Sequence, residues 1–353
     1  MEVKKGGFVA DYPISITISE KIRLNLRIQE RKKYEVLHEP VNSARIPPPY
    51  GGSFFIRQEK DMSTVAFIAV IASALFHSGY NLLIKVSDEK ILYMWSIFSV
   101  AVIAGWIAGY FMVPGFLEIK PAVLLFAALS AVFFTSYHLC AARAYAADEG
   151  DLSLSYPLTT LAPIFIPFWA YMLLGDTFTI KVIAGILIAT VGTYCIQLKF
   201  AREQIPFRSL GFGNEAVRFA LLASFLYSFG AISDKIGVNQ SGYYIFSVWM
   251  ISMNFVYFTS VVLLNKRIRR RALHCYRHYP LRVLLGGTLL FFSNISYRFG
   301  LEVTDVSYAA GVRQCATLFA VLMGVFLLKE PYGLFRFIAG LIIAAGIVLI
   351  KIG

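Results

Sequence analysis

The chain has 353 residues, a formal net charge of +12, an apolar fraction of 58%, a charged fraction of 15% and a mean hydropathy of +0.64. Soluble domains carry charge on about a quarter of their residues. This composition therefore excludes an ordinary soluble enzyme and points to an integral membrane protein.

Residues 1–61 come first. They are polar and basic, with Arg31-Lys32-Lys33, Pro47-Pro48-Pro49 and Gly51-Gly52, a mixture that discourages regular structure. The apolar core of a secretory signal is missing from this segment. It reads as a disordered tail or an upstream extension, because Met62-Ser63-Thr64-Val65 would make a natural start for the membrane domain. Ten apolar runs follow, near 63–84, 92–113, 121–142, 153–174, 179–198, 216–236, 243–264, 283–300, 304–328 and 334–352. A bilayer core takes roughly 20 apolar residues per helix. Lipid offers the backbone no hydrogen-bond partner, so each run must satisfy its own amides as a helix. The alternating segments of about ten residues that build a membrane barrel do not occur.

The chain repeats itself. Asp151-Leu152-Ser153 leads through an apolar run to Leu173-Leu174-Gly175-Asp176 and Ile183-Ala184-Gly185; Asp305-Val306-Ser307 leads likewise to Leu327-Leu328-Lys329-Glu330 and Ile338-Ala339-Gly340. Ile97-Phe98-Ser99-Val100 matches Ile245-Phe246-Ser247-Val248. Internal symmetry of this kind marks transporter folds. The expected architecture is an all-α integral membrane protein whose ten transmembrane helices form two inverted five-helix repeats, 62–200 and 216–353, joined by a linker at 201–215. The inversion follows from parity, since an odd number of crossings makes the second copy enter from the opposite face.

Cys140, Cys195, Cys275 and Cys315 are scattered without a CxxC pair, so neither a disulfide framework nor a metal site is expected. The basic stretch Lys266–Arg271 between the seventh and eighth runs reads as a topology signal rather than a nucleic-acid patch. Counted without residues 1–61, the Lys and Arg of the loops put this stretch in the cytoplasm and both termini outside. Counted with them, the two faces tie.

The repeat ends resemble the drug/metabolite transporter superfamily, specifically its EamA-like permeases, over roughly residues 63–352. The resemblance is carried by Ser155-Tyr156-Pro157-Leu158 followed by Ala162-Pro163, by Leu174-Gly175-Asp176, and by Ala184-Gly185 with Gly192. Their partners are Leu328-Lys329-Glu330, Ala339-Gly340 and Gly346. Each copy keeps only part of the family's Gly-Glu turn, and Gly311 stands where the first copy has Pro157. The resemblance implies cytoplasmic termini, against the count made without the tail. It also implies a central cavity lined by the first, third, fourth, sixth, eighth and ninth helices, with the last helix of each repeat at the periphery.

Several polar residues fall on those helices. Arg313, beside Gln314 in the ninth run, is costly at that depth; it is either a structural ion pair or snorkelled cation, or a partner for a carboxylate or phosphate. Asp234 could neutralise it, carry a coupling proton, or simply cap a solvated helix end with Lys235. His77 and Asn81 share a face of the first helix, and His77 is either a packed core histidine or a second coupling candidate. His138, Tyr156, Tyr227, Asn294 and Tyr297 complete the candidate substrate-binding set. The function expected is secondary transport of a small polar, anionic or zwitterionic organic solute across a cytoplasmic-type cell membrane, without a cofactor and with proton or counter-solute coupling. No Walker motif is present. The rival is an integral-membrane lipid- or acyl-modifying enzyme using His77 or His138 as base, for which no HExxH or serine-elbow motif exists.

Overall fold

Ser63 opens the first helix, its hydroxyl accepting a hydrogen bond from the Ala66 amide at 3.1 Å. A computed structural model describes residues 62–147, 158–197, 214–329 and 333–353. The expectations for the N-terminal tail, for most of the linker and for Tyr156 lie outside these residues. The described chain is helical, with no strand: α1 Thr64–Lys85, α2 Lys90–Met112, α3 Pro121–Ala147, α4 Ala162–Trp169, α5 Ile180–Gln197, α6 Glu215–Ser241, α7 Tyr243–Leu264, α8 Pro280–Val303, α9 Val306–Arg313, α10 Cys315–Leu328 and α11 Gly333–Lys351. Two short turns of helix, Lys266–Arg269 and His274–His278, lie between α7 and α8.

Six segments are long and apolar enough to cross a membrane: α1, α2, the first 21 residues of α3, α6, α7, and α9 with α10 as Val306–Leu327. Ala162–Leu174, Ile180–Cys195 and Phe337–Lys351 are shorter apolar helices. The remaining run, α8, has the length but is diluted by Ser293, Asn294 and Arg298. Among the described residues the ten runs thus include six clear spanning segments. Large apolar side chains such as Ile103, Phe111, Phe168, Leu264, Phe326 and Leu341 are exposed on the outside, as lipid contact requires of a surface this apolar.

Two of the runs are broken within their length. In α4, Pro163 occupies the first turn and Pro167 lies inside. The missing N–H of Pro167 interrupts the ladder, and the helix widens into a π-helical turn at Ala170–Leu174 before stopping at Gly175 with φ 73°. Just before α4, the Leu161 amide bonds back three residues to Leu158. The ninth run breaks at Gln314 between α9 and α10, where Gln314 N bonds to the Gly311 carbonyl, again three residues back. Ser224 of α6 ties the first break, donating to the Leu158 carbonyl at 2.5 Å and accepting from the Leu161 amide at 3.1 Å. Ser78 of α1 ties the second, donating to the Ala316 carbonyl at 2.6 Å.

Helix packing is reciprocal between the halves. α1 packs on α8 as α6 packs on α3; α2 packs on α8 as α7 packs on α3; α1 packs on α10 as α6 packs on α4. α2 pairs with α7, and α5 with α11. Ser73 and Ser293 lock α1 to α8 by donating to each other's carbonyls at 2.7 and 3.0 Å. The α5–α11 contact runs backbone to backbone: a Cβ on Gly346 would stand 2.6 Å from the Gly185 carbonyl oxygen and 2.5 Å from the Ala189 nitrogen. Such small residues let helices approach where lipid supplies no hydrophobic drive.

The turn after α10 carries strain that the turn after α4 and its π-helical extension avoids. Lys329 caps α10 at φ 54°, where the first repeat has Gly175. A left-handed backbone crowds any Cβ. Lys329→Gly is expected to stabilise the protein by roughly 0.5–1 kcal/mol, after allowing for the extra freedom of glycine in the unfolded chain. The check is the thermal midpoint of the detergent-solubilised protein, which should rise; an unchanged midpoint would show that this turn stores no strain.

Candidate functional site

α9 ends on Arg313, and the break behind it sends the side chain across to α1 and α8. The guanidinium lies over the ring of Tyr297, 4.0 Å from its centroid. Its Nη2 is 3.3 Å from Nδ1 of His77, and the Tyr80 hydroxyl lies 2.7 Å from the same nitrogen. An arginine can only donate, so Nδ1 of His77 is the acceptor and the ring proton sits on Nε2. Tyr80 meets His77 edge to face at 5.0 Å. Arg313 is half-buried, and among the described residues no carboxylate stands within ion-pair distance of it.

Asp234 has a different partner. Its Oδ2 accepts from Nη2 of Arg298 at 2.7 Å, and the two residues are 1% and 2% exposed. The reading of Asp234 as a solvated helix end, or as the direct counter-ion of Arg313, is corrected here. The sixth run ends at 236 by hydropathy, but α6 continues to Ser241, so Asp234 lies two turns inside the helix. Arg298 escapes a hydropathy reading because it stands at the end of its apolar run. Its one local signal is Asn294 a turn earlier, whose Oδ1 accepts from Arg298 Nη1 at 2.7 Å. Lys235 is buried too, donating to the Leu301 and Thr304 carbonyls at 2.6 and 2.8 Å. It places a cation on the C-terminus of α8, where the helix dipole favours one.

The other candidates divide. Asn81 is exposed and donates to the His77 carbonyl at 2.7 Å. His138 is exposed on α3, its ring 4.8 Å from Tyr137, within electrostatic reach of His77. Tyr227 of α6 packs between Phe134 and Tyr137 at 5.0 and 5.2 Å and lies within electrostatic reach of Arg313. Asn294 and Tyr297 both lie on α8, where Asn294 binds Arg298 and Tyr297 underlies Arg313. Gln314 turns away: it is buried against α5, its Oε1 accepting from Thr193 at 3.3 Å. Arg313 and Gln314 therefore face different helices, Arg313 towards α1 and α8 and Gln314 towards α5. Arg313, Arg298 and Asp234 together leave one positive charge among three ionised groups. Among the described residues no cluster of His, Cys, Asp or Glu could hold a metal ion.

Long apolar helices around a charged, aromatic centre define a multi-pass integral membrane protein. Residues 215–352 match the EamA-like transporter family. That match, over the second half of the chain, bears out the resemblance read from the repeat ends. No curated protein matches the chain. One solved crystal structure superposes with a TM-score of 0.63 at 14% identity, covering 81% of this chain and 96% of the other. At that identity the likeness speaks to the fold alone.

Acidic groups gather near Lys235 at the ends of the helices. Asp305, Asp176 and Glu302 all lie within its electrostatic reach. Asp176, in the turn after Gly175, has its Oδ2 buried without a hydrogen-bond partner among the described residues. Burial, and then the Asp305 carboxylate, push its pKa from 3.8 up to about 7, with Lys235 opposing. Between about pH 4 and 7 the folded chain therefore keeps a proton that the unfolded chain has lost, so stability falls as pH rises through that window. Asp176→Asn should match the wild-type thermal midpoint near pH 4 and exceed it at pH 8. Parallel curves for the two proteins across that range would contradict the account.

Proposed function

We propose that the chain is a secondary permease that moves a small anionic or zwitterionic organic solute across a cytoplasmic-type membrane by alternating access. Its working unit is two inverted five-helix repeats, residues 62–200 and 216–353. The reciprocal packing of α1 on α8 and α6 on α3, with the self-pairs α2–α7 and α5–α11, supports that symmetry. So do the breaks in the fourth and ninth runs; discontinuous helices at a repeat interface are where such proteins bind solute. Members of the matched family are transporters, which favours a carrier over a membrane enzyme.

The observation that carries the reading is Arg313, a guanidinium with no carboxylate at ion-pair distance among the described residues. An uncompensated charge in hydrocarbon costs about 2.5 kcal/mol or more. Water or an anionic ligand must therefore reach it. Its planar fork suits a carboxylate or phosphate, and the rings of Tyr297 and Tyr80 offer apolar faces to the rest of the solute. Asn81 and His138, the exposed members of the set, lie in the second halves of α1 and α3. Arg298 and Asp234, the most deeply buried, lie in the second halves of α8 and α6. If successive helices cross in alternate directions, the pocket opens to one face and is shut towards the other by the ion pair. That is the form of one state of a rocking cycle.

His77 offers a route to coupling. Its Nδ1 accepts from Arg313 only while unprotonated; a proton there would set two cations against each other and displace the guanidinium. Lipid and solute are then the chain's partners, with a proton or counter-solute supplying the drive.

Purified protein in liposomes, offered a panel of small organic anions and zwitterions, should speed the uptake or exchange of at least one with no chemical change in it. Arg313→Ala should cut that flux by about tenfold or more, the loss of a charge-assisted contact, while leaving expression and monodispersity intact. Unchanged flux would remove Arg313 from the site. Product formed without flux would favour the membrane enzyme.

A further inference from the structure

Two guanidinium groups and one carboxylate share the centre of the molecule, and Asp234 is within electrostatic reach of both arginines. Only one of them holds it. Arg298 is fixed from three elements: Asn294 on α8 binds Nη1, Asp234 on α6 binds Nη2, and the ring of Phe246 on α7 lies 5.6 Å from the guanidinium carbon. Phe246 reaches that position because Gly237, one turn beyond Asp234, has no side chain; a Cβ there would stand 2.0 Å from the ring. The reciprocal Ser73–Ser293 bonds hold α8 just before Asn294. Arg313 has no comparable clamp. It has one hydrogen bond, to a histidine nitrogen shared with Tyr80, and otherwise the face of a ring.

Asp234 keeps a spare acceptor. Its Oδ1 is buried and makes no hydrogen bond at full bonding distance among the described residues, the Ser130 hydroxyl on α3 being the one donor near the carboxylate besides the arginines. A buried carboxylate with an open lone pair beside two cations will take whichever it can reach. With Arg298 in place, the rigid partner holds the carboxylate and Arg313 keeps its donors free. Without Arg298, Arg313 is the remaining cation beside Asp234, and pairing with it would neutralise the site.

We propose that Arg298 is a positioning residue for the solute site: by holding Asp234 it keeps the Arg313 guanidinium unpaired and available to an anionic solute. The proposal rests on the reading of Arg313 as the solute-facing charge. It deepens that reading by naming what keeps the site cationic, a residue that itself need never touch the solute. It also predicts that the pocket's charge is adjustable at a distance: removing Arg298 silences Arg313, and removing Asp234 as well restores it.

Phenylglyoxal, a neutral reagent that modifies unpaired guanidinium groups, reads this directly without knowledge of the solute. Its rate of addition to each arginine is followed by peptide mass spectrometry on detergent-solubilised full-length protein. In the wild type, Arg313 should be modified and Arg298 protected. In Arg298→Met, modification of Arg313 should slow by about tenfold, as expected when a charge-assisted hydrogen bond holds the group. In Arg298→Met/Asp234→Asn it should return to the wild-type rate, a rescue that mere loosening of the fold would not give. A wild-type rate in Arg298→Met overturns the proposal, as does a slow rate in the double variant. If Arg298→Met fails to give folded protein, Asp234→Asn is compared with the double variant: equal Arg313 rates are expected, and a drop of about tenfold or more on losing Arg298 overturns the proposal. Failure of Arg313 to react in the wild type is a separate result, and it tells against the solute-facing reading itself.

Discussion

A guanidinium in a low-dielectric interior needs a counter-charge, water or a ligand, because desolvating an ion costs several kcal/mol even after the surroundings relax. This molecule places two such groups near its centre and answers the requirement in two ways. Arg298 is matched by Asp234, with Asn294 on a second nitrogen and Phe246 beside it, while its Nε has no hydrogen-bond partner among the described residues. Among the described residues Arg313 is matched by rings and a histidine nitrogen. The difference between a solved and an unsolved charge separates scaffold from site, and the rest of the architecture can be understood as holding that difference in place.

The helices achieve this through interruptions rather than through length. An unbroken ninth helix would carry Arg313 and Gln314 on one continuous spiral with fixed neighbours. The break at Gln314 instead anchors Gln314 to Thr193 on α5 and leaves Arg313 facing α1 and α8. The fourth run is interrupted in a similar place, by different residues, and is tied by Ser224 where the ninth is tied by Ser78. Away from the centre, α5 and α11 close on each other through Gly185 and Gly346 with no room for a side chain. That contact is made backbone to backbone, whereas the central contacts are made by side chains.

Much of this was legible in the sequence, for reasons that can be named. The runs and the repeat ends are local patterns, and Arg313 stands out because it is a lone cation within an apolar stretch. The glycines that zip α5 to α11 were recognisable as packing residues from their spacing. The Arg298–Asp234 pair was not legible: its members lie far apart in the chain, and each falls near the end of its apolar run, where a charged residue ordinarily meets solvent. Hydropathy ends the sixth helix early because Asp234, Lys235, Asn239 and Gln240 are polar, although the backbone continues through all four. Gln314 was assigned to the pocket through its neighbour, whereas it faces α5. The helix breaks were not read from the sequence, although Pro163 and Pro167 mark the fourth run and the polar pair Arg313-Gln314 marks the ninth.

The central claim is that water reaches a net positive pocket at Arg313. Its most direct test is charge-selective labelling of a cysteine placed at Asn81, one turn from His77, after Cys140, Cys195, Cys275 and Cys315 have been replaced. The rates of a negatively and a positively charged methanethiosulfonate reagent are then compared. The account predicts that Cys at this position reacts, faster by about tenfold with the anionic reagent, given the strength of a unit charge in a partly wet site, and that Arg313→Met abolishes the preference. A cysteine that does not react with either reagent, or that prefers the cation, would contradict it.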